Sequence, residues 1–367
     1  MTAVVAEHCQ ILPFGWIGVW LFFVISGFVV TASLMSRPAG DARGMLTQFY
    51  ARRAARIWPI YLVYVLAGFF ISAWSQGRFE WRPLASLLLF YNNFQVAFGD
   101  DVFRSFPFGH LWSISVEMQF YLVFGIAFAF LSRRSLRVSL LVVLALAPVL
   151  RFGGGLWLEH AGYSPFRAAS AIYALSPMHL DSFAIGALLA LGPMSWRTPP
   201  RSLALFATGV LALTAYVAVY VGVNHIHYAA GVDMFRNVIS GILFGDGRQV
   251  WLYSAVALLS AGVLAMTLGG GAVWSVITGN RFVQMVGRAS YGGYVYHALC
   301  VTEVRALLHG VFDSGPGMPG KLEFGFAVFA LALPATIVLS LLSYHYVEHP
   351  LIAAVSRRLT ARTSAAG

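Results

Sequence analysis

Residues 110–121, HLWSISVEMQFY, set His110, Ser113, Ser115, Glu117 and Gln119 among strongly apolar neighbours. On a helix, three-and-four spacing lines up His110, Ser113 or Ile114, Glu117 and Tyr121 along one stripe, so one face of the segment is polar. A carboxylate at membrane depth costs about 2.5–3.5 kcal/mol on insertion scales, which makes an intramembrane Glu a candidate functional group. A Glu held by a neighbouring arginine purely for packing is the competing reading, and the residues alone leave both open. A second cluster is FYARRAARIWPIY, residues 49–61, where Arg52, Arg53 and Arg56 sit within about a helical turn at the mouth of an apolar run. Guanidinium forks match phosphate oxygens bidentately. The cluster therefore suits either an anionic soluble ligand or anionic lipid headgroups.

Further along, SYGGYVYH places Tyr291, Tyr294 and His297 at three-residue steps on one helix face. His297 alone also fits a satisfied core histidine. In SYHYVEHP, Glu348 lies at the end of the last apolar run, where an Arg partner would account for it. Asp181 in SPMHLDSFAIGALLA sits at the edge of another run, among small residues suited to close helix packing. His8 precedes PFGWIGVWLFFVISGF and carries little information by itself.

The elements that position these residues follow from composition. The 367-residue chain is 59% hydrophobic and charged at only 10% of positions, against about 25% in soluble domains. It is therefore all-α and integral to a membrane, since its apolar runs are too long and too unalternating for barrel strands of about ten residues. The net charge of +10 falls mainly in short loops between apolar runs, which is the membrane-orientation signal rather than a nucleic-acid footprint. Cys9 and Cys300 suggest neither a disulfide framework nor a metal site. The first apolar run is too long, and lacks the basic flank, for a cleavable signal peptide. No nucleotide-binding or zinc-ligand pattern is present.

With about 20 residues per crossing, nine full spans are expected near 11–34, 57–75, 111–131, 137–154, 172–192, 202–223, 251–268, 289–309 and 323–347. A tenth apolar run, 84–98, is short and ends in Tyr91-Asn92-Asn93. Placing the loop with Arg37, Arg43, Arg52, Arg53 and Arg56 in the cytoplasm decides its nature. Excluding 84–98 as a crossing puts Arg133–Arg137, Arg197–Arg201, Arg281–Arg288 and the tail arginines inside as well; counting it puts the Arg133 cluster outside. Residues 84–98 are thus expected to be re-entrant or interfacial, with their backbone buried against protein or water. Residues 1–355 form one transmembrane domain, followed by a short cytoplasmic tail, 356–367, expected to be disordered. The same count starts the chain outside, with no translocating helix before its first span.

These stretches together resemble the acyltransferase-3 family of polytopic membrane O-acyltransferases. GWIGVWLFFVISGFVV resembles its G-x-x-G-V-x-x-F-F-x-x-S-G-F run, FYARRAARIWPIY its R-R-x-x-R-I-x-P-x-Y motif, and HLWSISVEMQFY its W-S-[LI]-S-V-E-x-Q-F-Y motif. SYGGYVYH resembles S-Y-x-x-Y-x-x-H and YVEHP resembles Y-x-x-E-x-P. Each match is moderately specific, and five in order cover nearly the whole chain. The resemblance implies ten spans with both termini inside, so that nine spans and an outside start read as the family topology with its first helix shortened. That helix carries an Arg eleven positions before a His in the family; the His corresponds to His8, and the Arg would precede Met1. The appended SGNH-type extracytoplasmic domain that some members of the family carry is not expected after YVEHP.

The resemblance further implies transfer of an acyl group, usually acetyl, from cytoplasmic acyl-CoA to a hydroxyl of a sugar, glycan, lipid or secondary metabolite, in a bacterial cytoplasmic membrane. On that reading His8 is the catalytic base, and Glu117 orients its imidazole or pairs with a buried arginine. Arg52, Arg53 and Arg56 hold the CoA phosphates. Trp112, Ser113, Ser115, Tyr121, Tyr291, Tyr294 and His297 are candidates for the substrate cavity. Acyl-CoA is a transient co-substrate, no cofactor is permanently bound, and no metal is implied. A proton-coupled carrier or flippase also uses intramembrane Glu, Asp and His, although no internal repeat is visible. An inactive relative that only binds its ligand is the third alternative.

Overall fold

The computed structural model describes residues 1–36, 42–76, 81–99, 106–227, 231–243, 245–270, 272–309 and 318–364. Arg37 of the first basic loop lies outside these residues. Among the described residues the protein is entirely helical. A short α1 (Thr2–His8) leads into α2 (Ile17–Met35) and the long α3 (Ala42–Gln76). Two short helices follow, α4 (Trp81–Leu88) and α5 (Asn92–Phe98), then α6 (Trp112–Phe130) and α7 (Arg133–His160). The chain continues through α8 (Pro165–Ala174), α9 (Leu180–Leu191), α10 (Pro199–His227), α11 (Val232–Ile239) and α12 (Arg248–Gly269). It closes with α13 (Ala272–Gly279), α14 (Arg281–Arg288), α15 (Ser290–Leu308), α16 (Met318–Ser343) and α17 (His349–Ser364).

Seven of the described helices are long and apolar enough to cross a membrane, or eight if the bent pair α8–α9 is one span. These coincide with eight of the nine expected spans. The ninth, 289–309, is α15: it has 19 residues, as α2 does, but its tyrosines, His297, Glu303 and Arg305 make it too polar to qualify by composition. Its polarity is tolerable because its inner half is buried against protein, from Tyr291 through Ala298. The run 84–98 does not cross. It is broken between α4 and α5 at Leu89–Tyr91, where Phe90 takes φ +54°. Part of the stretch anticipated as a tail continues as α17 to Ser364; 365–367 lie outside the described residues.

Local signals explain the termini. Ser132 caps α7 by accepting from the Ser135 N–H at 3.0 Å, and Ser164 followed by Pro165 starts α8, a favoured capping arrangement. The span expected at 172–192 is bent by 68° where Ser176-Pro177 removes a backbone donor. A break at this depth needs partners for its freed carbonyls. Asn93 supplies one, its Nδ2 donating to Ala174 O (3.2 Å) and Ser176 Oγ (3.0 Å). Gln119 ties in α6 by donating to Phe90 O (2.7 Å) and Asn93 Oδ1 (3.0 Å). The short helix pair α4–α5 and the broken helix thus satisfy one another.

The bundle is held inside by α2 against α9, α10 against α12, and α15 against α16. On its outside, α7 and α10 leave apolar side chains such as Val149 (61% exposed) and Leu211 (68%) uncovered, as lipid contact requires. The α2–α9 seam is close enough to demand glycine on both sides. A Cβ on Gly27 would stand 2.1 Å from Phe183 O, and one on Gly186 would stand 2.0 Å from Val24 O. This is the small-residue packing anticipated around Asp181. Gly27→Val is expected to destabilise the fold by about 1–3 kcal/mol, read as a lower unfolding temperature in detergent; an unchanged temperature would contradict the seam.

Asp181 has a partner that sequence reading passed over. Arg151, fully buried in α7, donates to Asp181 Oδ2 (2.7 Å), Met178 O (2.7 Å) and Ser254 Oγ (2.8 Å). A lone arginine in an apolar run was the available signal. Arg151→Met leaves a buried carboxylate unpaired and is expected to cost about 3–5 kcal/mol, whereas adding Asp181→Leu should recover most of that. Paired thermal-unfolding curves check this.

Candidate active site

The sequence-predicted residues separate into two groups at different depths. The first lines a cavity of about 320 Å³ that gathers Arg52, Arg53, Arg56, Glu117, Tyr121 and Tyr291 from α3, α6 and α15, with Ser26 from α2. Arg52, Arg53 and Arg56 reach one cavity because α3 carries them on consecutive faces of a single turn. None of the three has an ion-pair partner within 4.0 Å among the described residues. Arg53 stands over the rings of Phe49 and Tyr121, 5.7 and 5.3 Å from their centroids. Its cation is thereby steadied while its N–H fork stays available.

Glu117 is 1% exposed. Its Oε1 accepts from Ser26 Oγ (2.6 Å) and from the Tyr121 hydroxyl. Its Oε2 has no hydrogen-bond partner among the described residues. Of the two partners open to Glu117, His8 or an arginine, His8 is not met: the carboxylate lines the arginine cavity. Ser26 is therefore a site residue that sequence reading missed. Its position inside the VISGF run, the only hydroxyl among apolar neighbours, was the signal. Tyr291 donates to Ile57 O at 2.9 Å, fastening α15 to α3 at the cavity wall. Glu348, 1% exposed, lies behind Gly292, where a Cβ would come 3.0 Å from its Oε1.

The second group surrounds His8 at the end of α1. His8 is exposed as a residue, and its imidazole meets the His297 ring edge-on at 4.8 Å between centroids. His297 in turn meets His110 edge-on at 4.9 Å. His297 Nδ1 lies 2.5 Å from Tyr294 O, so it carries the proton and leaves Nε2 as an acceptor without a partner among the described residues. His110 Nε2 lies 3.0 Å from Val295 O, which likewise leaves its Nδ1 as an unpartnered acceptor. Two buried imidazoles are thus locked in single tautomers with basic nitrogens free, each at a cost of about 1–3 kcal/mol if nothing fills the position. His110 shared the stripe with Glu117 in the sequence, but its contact with His297 was not readable there. Arg305 donates to His8 O at 2.9 Å and holds the end of α1 in place.

Between the groups, Tyr294 and Ser113 join their hydroxyls at 2.6 Å, and Tyr294 also donates to His110 O at 2.9 Å. Tyr291, Tyr294 and His297 therefore run up one face of α15 from the arginine cavity to His8, about 9 Å along the helix. Two predicted cavity residues lie elsewhere. Trp112 packs among Tyr173 (4.9 Å), His179 (5.4 Å) and Phe23 (6.2 Å), in the aromatic core between α2 and α9. Ser115 donates to Asn92 Oδ1, on the opposite side of α6 from Glu117, and braces the short helix pair α4–α5.

Comparison with known proteins gives the arrangement its family. A family model described as an acyltransferase domain, acyltransferase-3, matches residues 2–345. The chain is 23% identical over 363 residues to the O-acetyltransferase OatA of Staphylococcus aureus (strain NCTC 8325 / PS 47), covering 94% of this chain and 54% of that protein. It is 21% identical over 362 residues to the putative O-acetyltransferase SACOL0978 of Staphylococcus aureus (strain COL), covering 93% and 53%. The chain thus spans about half the length of the curated relatives it matches. No solved structure matches it. With the model matching almost end to end, the chain belongs to the acyltransferase-3 family of polytopic membrane acyltransferases.

Proposed function

We propose that this protein transfers an acyl group, acetyl in the first instance, from acyl-CoA to a hydroxyl acceptor. The observation that carries the reading is the division of the site: three arginines, with no ion pair within 4.0 Å among the described residues, share one cavity with Glu117, and one face of α15 leads from that cavity to His8. The arginines supply charge-assisted bonds to the CoA phosphates. Both relatives are named O-acetyltransferases, which supports acetyl as the group and oxygen as the acceptor. The positive loops support a cytoplasmic side for the arginine cavity, in a bacterial cytoplasmic membrane where acyl-CoA is available.

At the other end, His8 removes the proton from the acceptor hydroxyl as its oxygen attacks the thioester carbonyl. The C–O bond forms, the C–S bond breaks, and CoA leaves as thiolate to take up a proton. His297 orients the His8 imidazole by ring contact, the part that sequence reading had offered to Glu117. The Ser113 hydroxyl, which meets that of Tyr294, lies beside the route and can donate to the developing oxyanion. Glu117 balances the arginine cavity and fixes Tyr121.

Labelled acetyl-CoA given to the protein in lipid nanodiscs with a mixture of polyol acceptors tests this reading. Consumption of thioester with label appearing in an ester supports it. A carrier would bind or move solute without consuming thioester, and that result would overturn it.

A further inference from the structure

A second cavity, larger than the arginine cavity, lies at the opposite end of the bundle. It measures about 720 Å³ and is formed where the end of α1, α11 and the first turns of α16 meet. Its polar lining is Glu7, Gln10, Arg236, Ser240 and Lys321, over an apolar floor that includes Ile11. The two cavities face opposite ends because α16 begins at this one and its continuation reaches Glu348 and Ile352 beside the other, roughly 40 Å of helix away. Glu7 and Gln10 flank His8 in the chain at the end of the same helix.

Two details mark this cavity as built for a ligand. Gln10 occupies the left-handed position that ends α1, with φ +64°. The turn is closed by Gln10 N–H to Glu7 O (2.8 Å) and Ile11 N–H to Ala6 O (3.1 Å), the arrangement in which glycine is favoured. A side-chain-bearing residue is disfavoured in this conformation, yet its amide is what lines the cavity. Strain of this kind concentrates at ligand sites. The second detail is charge. Arg236 and Lys321 have no ion-pair partner among the described residues. The one carboxylate of the lining is Glu7.

We propose that this cavity is the acceptor subsite and that it selects a polyhydroxylated, sugar-like acceptor bearing a negative charge. Arg236 and Lys321 pair the anion, a carboxylate or a phosphate monoester. Glu7 and Gln10, on the same helix end as His8, accept from and donate to the hydroxyls. Only the word acceptor rests on the acyl-transfer reading; the ligand class rests on the cavity.

The test is binding to the full chain in nanodiscs, by calorimetry at low salt, of methyl glucuronide, glucose 6-phosphate and neutral methyl glucoside. At least one anionic sugar is expected to bind about tenfold more tightly than the neutral one, and which of the two does so identifies the anion. Arg236→Gln and Lys321→Gln are each expected to remove most of that preference. Gln10→Gly, which relieves the backbone, should keep or raise the unfolding temperature while weakening every sugar several-fold. Equal binding of charged and neutral probes, no binding of any, or an unaffected Gln10→Gly protein would overturn the subsite. His8→Ala separates the two readings: it should bind these sugars normally and transfer nothing. Unchanged transfer in that variant would remove the acyl-transfer reading and leave the binding result standing.

Discussion

His8→Ala is expected to lower acetyl transfer by about 10²–10⁴-fold, the ordinary contribution of a positioned general base, with acetyl-CoA binding unchanged. The expectation follows from position. His8 is the one exposed residue of the three-histidine cluster, and its neighbours Glu7 and Gln10 line the second cavity. Its ring is fixed from one side by His297 and its helix end by Arg305. His297→Gln should produce a smaller loss together with a displaced pH–rate profile, because the group that sets the base's environment has changed while the base remains. A variant that lost only folding would show the loss without the displacement. Single-turnover assays across pH on protein of verified folding make the comparison.

Neutralising the arginine cavity has the opposite kinetic signature. Arg52→Gln, Arg53→Gln and Arg56→Gln should each raise the KM for acetyl-CoA by roughly 10- to 100-fold, from charge-assisted bonds worth about 1.5–3 kcal/mol apiece. The turnover number should move little, since none of the three is near His8. Arg53→Lys is the sharper variant. It keeps the charge but loses the planar fork that stacks on Phe49 and Tyr121, so it should behave closer to the glutamine variant than charge alone predicts. Added salt should weaken acetyl-CoA binding to the wild type more than to the triple variant. Equal salt sensitivity would mean that the phosphates bind elsewhere.

Much of the site was readable because misplaced polarity in an apolar chain is conspicuous. Glu117, the Arg52–Arg56 cluster and the Tyr291–His297 ladder stood out by residue type and by helical spacing, and the structure places each on the expected face. Which residues meet was not readable. Periodicity gives the face of a helix but not the helix it faces, so Glu117 was offered to His8 or to an arginine. The fold resolves this through the α2–α6 contact, which delivers Ser26 to Glu117 and leaves His8 to α15. Ser115 and Gln119 show the same limit. They share a short motif with Glu117, yet they face away from it and hold Asn92 and Asn93 of the short helix pair α4–α5.

The helical architecture was legible from hydropathy, and charge counting removed 84–98 from the crossings. The bend in α8–α9 was missed because its apolar run is continuous. Only Ser176-Pro177 marks it, and the carbonyls it frees are met by Asn93, a residue some 80 positions earlier. Arg151 escaped notice for a related reason. A single cation in a run of apolar residues looks like a loop signal until Asp181, distant in sequence, is seen to neutralise it.

The most direct test compares two variants in one assay, with labelled acetyl-CoA, protein in nanodiscs and a polyol acceptor. A base at His8 and a CoA site at the arginines predict that His8→Ala keeps its affinity for acetyl-CoA and loses turnover, while the Arg52/Arg53/Arg56 triple glutamine variant loses affinity and keeps turnover at saturation. Wild-type turnover in the His8 variant, or wild-type acetyl-CoA affinity in the arginine variant, would contradict the account.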